Sequence, residues 1–555
     1  MKLLQRRRLS PAPTPEPWWH GAVIYQIWPR SFADSDGDGV GDLAGVISRL
    51  DYLNDGDGGG LGIDGVWLSP IFRSPLVDFG YDIEDYTALD PTFGTLSDLD
   101  ELLDQCHRRG MRVLLDLVPN HTSDRHPWFV ESRSSRENPR RDWYRWRDPG
   151  PDGGPPNNWP SAFSAVGPAW TLDQESGQYY HHSYSVNQPD LNWDNHEVEE
   201  AMLDVVRFWL DRGVDGFRID VAHRLGKDPE YRDNPTTALD IEPTGPGRHD
   251  ADWPTGLDHL RSIRAVADEY SDRLLVGEVY VLDQERVIQY LAGGDGLHLA
   301  HNFVFMGQPW SAPDFADTIR AFEEESGPAV QPAWCLNNHD HSRVRTRFDH
   351  DGRGEERARA VALMLLALRG TIFLYQGEEL GLPDSEITPA GVFDLDGRDP
   401  MRTPIPWQPP SLAGPGAGFT QGSPWLGVGS TAERLNVATQ TGESDSMLEL
   451  YRCLIGVRKQ SPALRHGSYH EVYSDDHVLA FERRSDEEVA MVAVNFSTTE
   501  QPMPGSETAG PWRLLASSRP SADSQAGRLG PLETRWLRTV PQKATESLAS
   551  GHSGA

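Results

Sequence analysis

Cysteine is scarce: only Cys106, Cys335 and Cys453 occur in 555 residues. They are far apart and odd in number, which excludes a disulfide framework and a metal-ligand spacing, and a reducing compartment fits. Long apolar runs are absent too. No stretch of ~18 apolar residues occurs, so no membrane helix is expected. Met1 to Arg8 is basic, but Pro-rich Ser10 to Pro17 follows instead of an apolar segment, which argues against a secretory signal and for a cytoplasmic protein. Positive charge is in short supply. Lys and Arg number 51 against 84 Asp and Glu, a formal net charge of -33. Nucleic acid and anionic membranes reward basic surface, so neither is an expected partner. No GxGxxG or P-loop pattern follows an early strand, which counts against an open doubly wound sheet; no organic cofactor is expected.

What the chain does have is alternation. Short apolar runs read as strands at Ala22–Trp28, Gly65–Leu68, Arg112–Val118, Gly216–Ile219, Leu274–Val276, Leu297–Phe303, Trp334–Leu336 and Thr371–Leu374. Amphipathic stretches lie between them, such as Asp42–Leu53, Thr95–Arg109, Val198–Asp211 and Glu355–Leu368. In the second, Thr95 is a cap, Leu96, Leu99, Leu102 and Leu103 fall at helical spacing, and Gly110 closes the helix. Strand then helix, eight times over, predicts an α/β fold: a parallel (β/α)8 TIM barrel, with an open doubly wound sheet as the competitor. Two stretches interrupt it. A small, loop-rich inserted domain rich in Trp, Pro and Asn follows strand 3, and a Gly/Pro-rich excursion from Gln376 to Ser446 follows strand 8. A helix near Met447–Lys459 precedes alternating runs that predict a C-terminal antiparallel β-domain. The expected organisation is a disordered tail over 1–17, barrel over 18–120, inserted domain over 121–196, barrel again over 197–465, β-domain over 466–540 and a frayed tail over 541–555.

In a barrel the strand C-termini share one face, and the chemistry is there. Those ends carry Asp78 and Tyr81, then Asp116, Asn120 and His121, then Arg218 and Asp220, then Glu278, then His339 and Asp340. Arg218 and Asp220 are two apart in a strand and point to one side. A guanidinium beside a carboxylate favours its ionised form, which predicts Asp220 as nucleophile. Glu278 has no cation adjacent in sequence, and nearby negative charge would keep it protonated as general acid and later base. Asp340 is the expected third carboxylate, gripping sugar hydroxyls with His121 and His339. Separately, Asp34, Asp36, Asp38 and Asp42 alternate with glycines in an acidic loop that suits a hard cation.

The ordered motifs Asp116-Leu117-Val118-Pro119-Asn120-His121, Gly216-Phe217-Arg218-Ile219-Asp220, Gly277-Glu278 and Asn338-His339-Asp340 resemble those of glycoside hydrolase family 13, the α-amylase clan. The flanks Ala22–Phe32, Gln188–Trp193 and Gly397–Pro404 are similar to its exo-acting α-glucosidases and oligo-1,6-glucosidases. The resemblance implies catalytic Asp220, Glu278 and Asp340, and retention through a glucosyl ester on Asp220. Asp78 and Arg402 would bind the non-reducing-end glucose, with Tyr81 under that sugar and Phe163 and Tyr184 as walls. A structural Ca2+ or Mg2+ would be held by Asp34, Asp36, Asp38, Asp42 and the carbonyl of Val40. Val221, beside the nucleophile, would face the leaving group and pull toward α-1,6 bonds; His301 stands where Phe is more usual and is expected at the pocket edge. The implied substrates are short malto- or isomalto-oligosaccharides or sucrose, for a monomer or homodimer, with an oligo-1,6-glucosidase, or a transglucosylase, sucrose isomerase or trehalose synthase on the same site, as the alternative.

Overall fold

The computed structural model describes residues 16–235, 247–387, 392–504, 512–519 and 527–539. Eight parallel strands form the barrel: β1 Val23–Ile27, β2 Gly65–Leu68, β3 Arg112–Leu117, β4 Gly216–Ile219, β5 Leu274–Gly277, β6 Leu299–Ala300, β7 Ala333–Trp334 and β8 Thr371–Tyr375. Their order is β6-β5-β4-β3-β2-β1-β8-β7, each neighbour parallel. Between β6 and β7 there is a single parallel bridge, His301 with Ala333. The strands are apolar on both faces, as a sheet wrapped by helices requires. Close approach fixes Gly216 at the start of β4: a Cβ there would lie 1.9 Å from the Leu274 carbonyl oxygen.

Local signals act as expected at the helix Leu96–Arg108. Thr95 accepts from the Asp98 amide, Asp98 reaches back to the Thr95 amide, and Leu99, Leu102 and Leu103 are buried. The expected single helix over Asp42–Leu53 is instead two, Leu43–Ser48 and Leu50–Leu53, broken where Arg49 leaves helical geometry and lies over the Trp407 ring. The expected strand Leu297–Phe303 shrinks to Leu299–Ala300, because Asn302 caps a helix over Phe303–Met306 by accepting from the Phe305 amide. The inserted region holds a helix, Pro127–Ser134, and a three-stranded antiparallel sheet of Trp146–Arg147, Gln178–His181 and Trp170–Asp173. After the helix Met447–Gln460, a five-stranded antiparallel sheet follows, built from Ser468–Ser474, Val478–Arg484, Val489–Asn495, Thr534–Thr539 and Arg513–Ser517 in that spatial order. Residues 1–15 and 540–555, which take in most of the first expected tail and all of the second, lie outside the described residues.

Two buried arginines lock these layers together. Arg458 donates to the carbonyls of Leu366, Leu368, Gly370 and Gly21, tying the end of helix Gly354–Ala367 to the starts of β8 and β1. Arg483, in the C-terminal sheet, donates to the Ala367 and Gly467 carbonyls. Both satisfy carbonyls that a helix end or chain crossing leaves unpaired.

His301 is not at the pocket edge. It is buried inside the barrel against Trp67 and Phe373, with neither ring nitrogen hydrogen-bonded. Burial pulls its pKa down to about 3, and that of His126, His181 and His339 to about 4. These imidazoles are neutral when folded but bind protons when unfolded below ~6.5, so stability is complete above that pH and falls as pH drops from ~6.5 toward 4. We expect the melting temperature to decline through that window. His301→Phe should flatten the decline and gain on the order of 1 kcal/mol at neutral pH by removing an unpaired buried polar group. Thermal unfolding against pH checks both; a lower midpoint for the variant at every pH contradicts it.

Candidate active site

At the C-terminal end of the barrel, β3, β4 and β5 present their last polar side chains to one another. Asp116 and Arg218 are register partners across β3 and β4. Arg218 is fully buried and has the Trp67 ring 5.0 Å away. Its Nη1 donates to Asp116 Oδ1 at 2.9 Å and to Asp220 Oδ1 at 2.7 Å, and its Nη2 is ion-paired with Glu278 Oε2 at 2.7 Å. One guanidinium thus serves three carboxylates. This corrects two expectations. Glu278 does have a cation beside it, supplied by the neighbouring strand. And Arg218 does not win at Asp220: burial, reinforced by Glu278 and Asp116, pushes that carboxyl well above the ordinary range against the pull of Arg218. Burial likewise raises Asp116 to about 6 despite Arg218. A single positive charge thus faces two buried carboxyls, Asp116 and Asp220, and the half-buried Glu278, and desolvation of the first two opposes ionising them together.

The backbone past Asp220 is strained. Val221 is β-branched yet sits at φ 37°, ψ 46°, in the left-handed region. That turn aims the Val221 amide at Glu278 Oε2, 3.0 Å away, while the Ala222 amide donates to the Glu278 carbonyl at 2.9 Å. The residue after one carboxylate therefore orients the next.

Above this cluster is a pocket of about 240 Å³. Asp78, Tyr81, His121, Phe163, Tyr184, Asp220, Val221, Glu278 and Asp340 all line it. Arg218, His339 and Arg402 do not; they lie buried behind the lining. His339 is stacked under Tyr81, with ring centroids 5.5 Å apart, and over Trp28. Gln26 Nε2 donates to His339 Nδ1, so the ring proton sits on Nε2, 2.8 Å from Tyr81 Oη and 3.0 Å from Asp340 Oδ2. His339 thereby orients Tyr81 and Asp340 rather than reaching the cavity.

Arg402 is displaced from its expected part by Arg398. Arg398 lines the pocket, donating to Asp78 Oδ1 at 2.7 Å and to Asp340 Oδ1 at 3.1 Å. Arg402 stands behind it, donating to Asp340 Oδ1 at 2.7 Å and to the His339 carbonyl at 2.9 Å. Asp394 accepts from both guanidiniums and fixes their spacing. Burial alone would raise Asp340, but His339, Arg398 and Arg402 hold it well below the ordinary range. Sequence reasoning also passed over Arg224, Tyr280, His341 and Asp396, which complete the lining with His223 and Ala162. Their one signal was position, on the loops that follow β4, β5, β7 and β8.

In the acidic loop, Asp34, Asp36 and Asp42 bring one carboxylate oxygen each within 4.8 Å of one another. Asp38 is not in that group; its Oδ1 accepts from the Val40 amide at 2.7 Å. The loop is tied to the excursion after β8, since Asp34 donates its amide to the Phe419 carbonyl and Gly39 accepts from the Trp425 amide.

Comparison with known proteins settles the family. Residues 26–467 match the model of the α-amylase catalytic domain. This chain belongs to the α-amylase family of glycoside hydrolases. It is 43% identical over 520 residues to a probable alpha-glucosidase of Rhizobium meliloti, covering 88% of this chain and 91% of that one. It is 38% identical over 545 residues to an oligo-1,6-glucosidase of Heyndrickxia coagulans, covering 90% and 95%. A solved alpha-glucosyl transfer enzyme superposes with a TM-score of 0.86 at 40% identity, covering 94% of this hydrolase and 99% of that chain. No helix among the described residues of the hydrolase is long and apolar enough to cross a membrane.

Arg398 separates two carboxylates that would otherwise face each other. Arg398→Met should lower the urea midpoint by the equivalent of about 3–5 kcal/mol, the cost of a buried charge left without its partner. Equal midpoints for variant and wild type would show that Asp78 and Asp340 do not need it.

Proposed function

We propose that the protein is a retaining exo-α-glucosidase that removes single glucose units from the non-reducing ends of short α-glucosides, such as malto- or isomalto-oligosaccharides. The observation that carries this is the Asp78–Arg398–Asp340 bridge. It places charged hydrogen-bonding groups on the wall of a small pocket, which suits the hydroxyls of one terminal sugar. Tyr81 offers that sugar a ring face, and Phe163 and Tyr184, 5.3 Å apart between centroids, form the opposite wall.

In the first step Asp220 attacks the anomeric carbon. The bond to the leaving oxygen breaks, and Glu278 gives that oxygen its proton. Burial that disfavours ionising Asp116 and Asp220 together would help the cluster hold the proton this step requires. As positive charge develops on the sugar carbon, Asp220 is favoured as the ionised partner and Glu278 as the donor. In the second step Glu278 takes a proton from water, the resulting hydroxide attacks the same carbon, and the Asp220 ester bond breaks. A sugar hydroxyl in place of water gives transglucosylation. The likeness to an alpha-glucosyl transfer enzyme favours that second outcome as a real branch. Val221, at the edge between nucleophile and leaving group, is the side chain best placed to select linkage.

Asp34, Asp36 and Asp42, with the Val40 carbonyl, are the residues that would hold a Ca2+ or Mg2+, and their all-oxygen donor set fits a hard cation. Such an ion would pin the loop after β1 to the excursion that carries Arg398; its part is structural. A cytoplasmic location and a monomer or homodimer fit this reading.

Glu278→Gln tests the division of labour. On maltose, which needs its leaving group protonated, we expect kcat/KM to fall by about 10²–10⁴. On a 4-nitrophenyl α-glucoside, whose leaving group needs no proton, glucosylation should be far less affected. Equal losses on both substrates would remove Glu278 from the acid role. Separately, EDTA should lower the melting temperature and added Ca2+ restore it; no change with either removes the metal.

A further inference from the structure

A second cavity with charged walls lies apart from the catalytic pocket. Between the inserted sheet and the loop that leaves β4 lies a cleft of about 400 Å³ that shares no lining residue with the pocket. Four arginines line it, Arg136, Arg141, Arg145 and Arg147, against two aspartates, Asp142 and Asp194. In a chain of net charge -33, such a gathering of positive charge needs a reason. Two of the four are accounted for: Arg145 is paired with Asp194 and Arg136 with Asp148, each at 3.1 Å.

Arg141 and Arg147 have no carboxylate within ion-pair distance among the described residues. Arg141 is 9% exposed. Its donors go only to the Ser132 carbonyl, Ser176 Oγ and Gln178 Oε1, and its guanidinium lies 3.5 Å from the centroid of the Trp146 ring. Burial lowers its pKa to about 10, so it remains charged at neutral pH. Arg147 donates to the Trp146 carbonyl and sits 3.6 Å from the centroid of the Tyr231 ring. Ring faces hold both guanidiniums flat while supplying no counter-charge. The cleft also stores strain: Tyr231, whose hydroxyl accepts from Arg145, has φ 55° without being glycine. Such backbone persists where surroundings over-determine it, and it clusters at ligand clamps.

We propose that this cleft binds a phosphate oxyanion, either free or as the head group of a phosphorylated sugar, with Arg141 and Arg147 as its charged donors. Planar guanidinium forks match phosphate oxygens in pairs, and two cations held in no ion pair among the described residues suit a dianion. The Arg145–Asp194 pair and Tyr231 form the fixed wall behind them. Tyr231 lies on the loop that begins at Asp220, so an anion here would brace the chain segment leaving the nucleophile.

The test uses the full chain and two readouts, thermal unfolding and titration calorimetry. Sodium phosphate, glucose 6-phosphate and sodium chloride of matched ionic strength are the three arms. We expect phosphate to raise the melting temperature above the chloride control and to bind saturably. Glucose 6-phosphate binding tenfold or more tighter than phosphate identifies a sugar phosphate as the ligand; equal affinity identifies free phosphate. Arg147→Ala, at a half-buried position, and the double variant with Arg141→Gln should each weaken binding at least tenfold, while hydrolysis of a 4-nitrophenyl α-glucoside without phosphate stays at the wild-type rate. If the double variant does not fold, Arg147→Ala decides alone. No rise above chloride in the wild type overturns the proposal, as does unchanged phosphate or glucose 6-phosphate affinity in the variants.

Discussion

Everything at the mouth of the barrel depends on the Arg218 guanidinium. It reaches Asp116, Asp220 and Glu278, which belong to three adjacent strands or their ends. Without it, the buried Asp116 and Asp220 would converge on Glu278 with no positive charge between them, and burial would disfavour their ionised forms. With it, the pull of one guanidinium on Asp116 and Asp220 is set against their desolvation. A two-step glycosyl transfer, the reading proposed above, needs one carboxylate free to attack and one proton held ready. Fully buried against Trp67, Arg218 cannot swing away, so the three acids keep their relative places as charge shifts among them.

Around this centre the molecule repeats one device: a buried arginine that joins chain segments distant in sequence. Arg398 and Arg402 join the excursion after β8 to the loops after β2 and β7, with Asp394 between them. Arg458 and Arg483 join helix ends to the first strand and to the C-terminal sheet. Each guanidinium has several donors in a rigid plane, so one residue can satisfy carbonyls or carboxylates from three places at once. The strained turn at Val221 belongs to the same logic, since it spends backbone freedom to direct an amide at Glu278.

Much of this was legible in the sequence, for physical reasons. Barrel strands are short, apolar on both faces and bounded by polar ends, so all eight could be located and the acids read from their tips. Charge balance was harder to read. The pull of Arg218 on Asp220 follows from their spacing along one strand, but the desolvation that outweighs it, and the reach to Glu278, come from strands paired in space. The two arginines of Gly397–Pro404 could not be told apart in the same way. The short turn Asp399–Met401 between them sends one guanidinium to the cavity and the other behind it, and only the partner Asp78 reveals which. His301 was misplaced although a signal existed. It is two residues past Leu299, on the same inward-facing side of β6, and that parity points into the barrel.

The central claim is that Asp220 carries the sugar between the two steps while Glu278 carries the proton. Incubating the protein with a 5-fluoro-α-D-glucosyl fluoride, which forms the ester readily but slows its breakdown, and then mapping peptides by mass spectrometry tests this most directly. A fluoroglucosyl adduct on Asp220, absent in Asp220→Asn, is the predicted result. An adduct on Glu278, or steady turnover to the inverted sugar with no adduct at all, would contradict it.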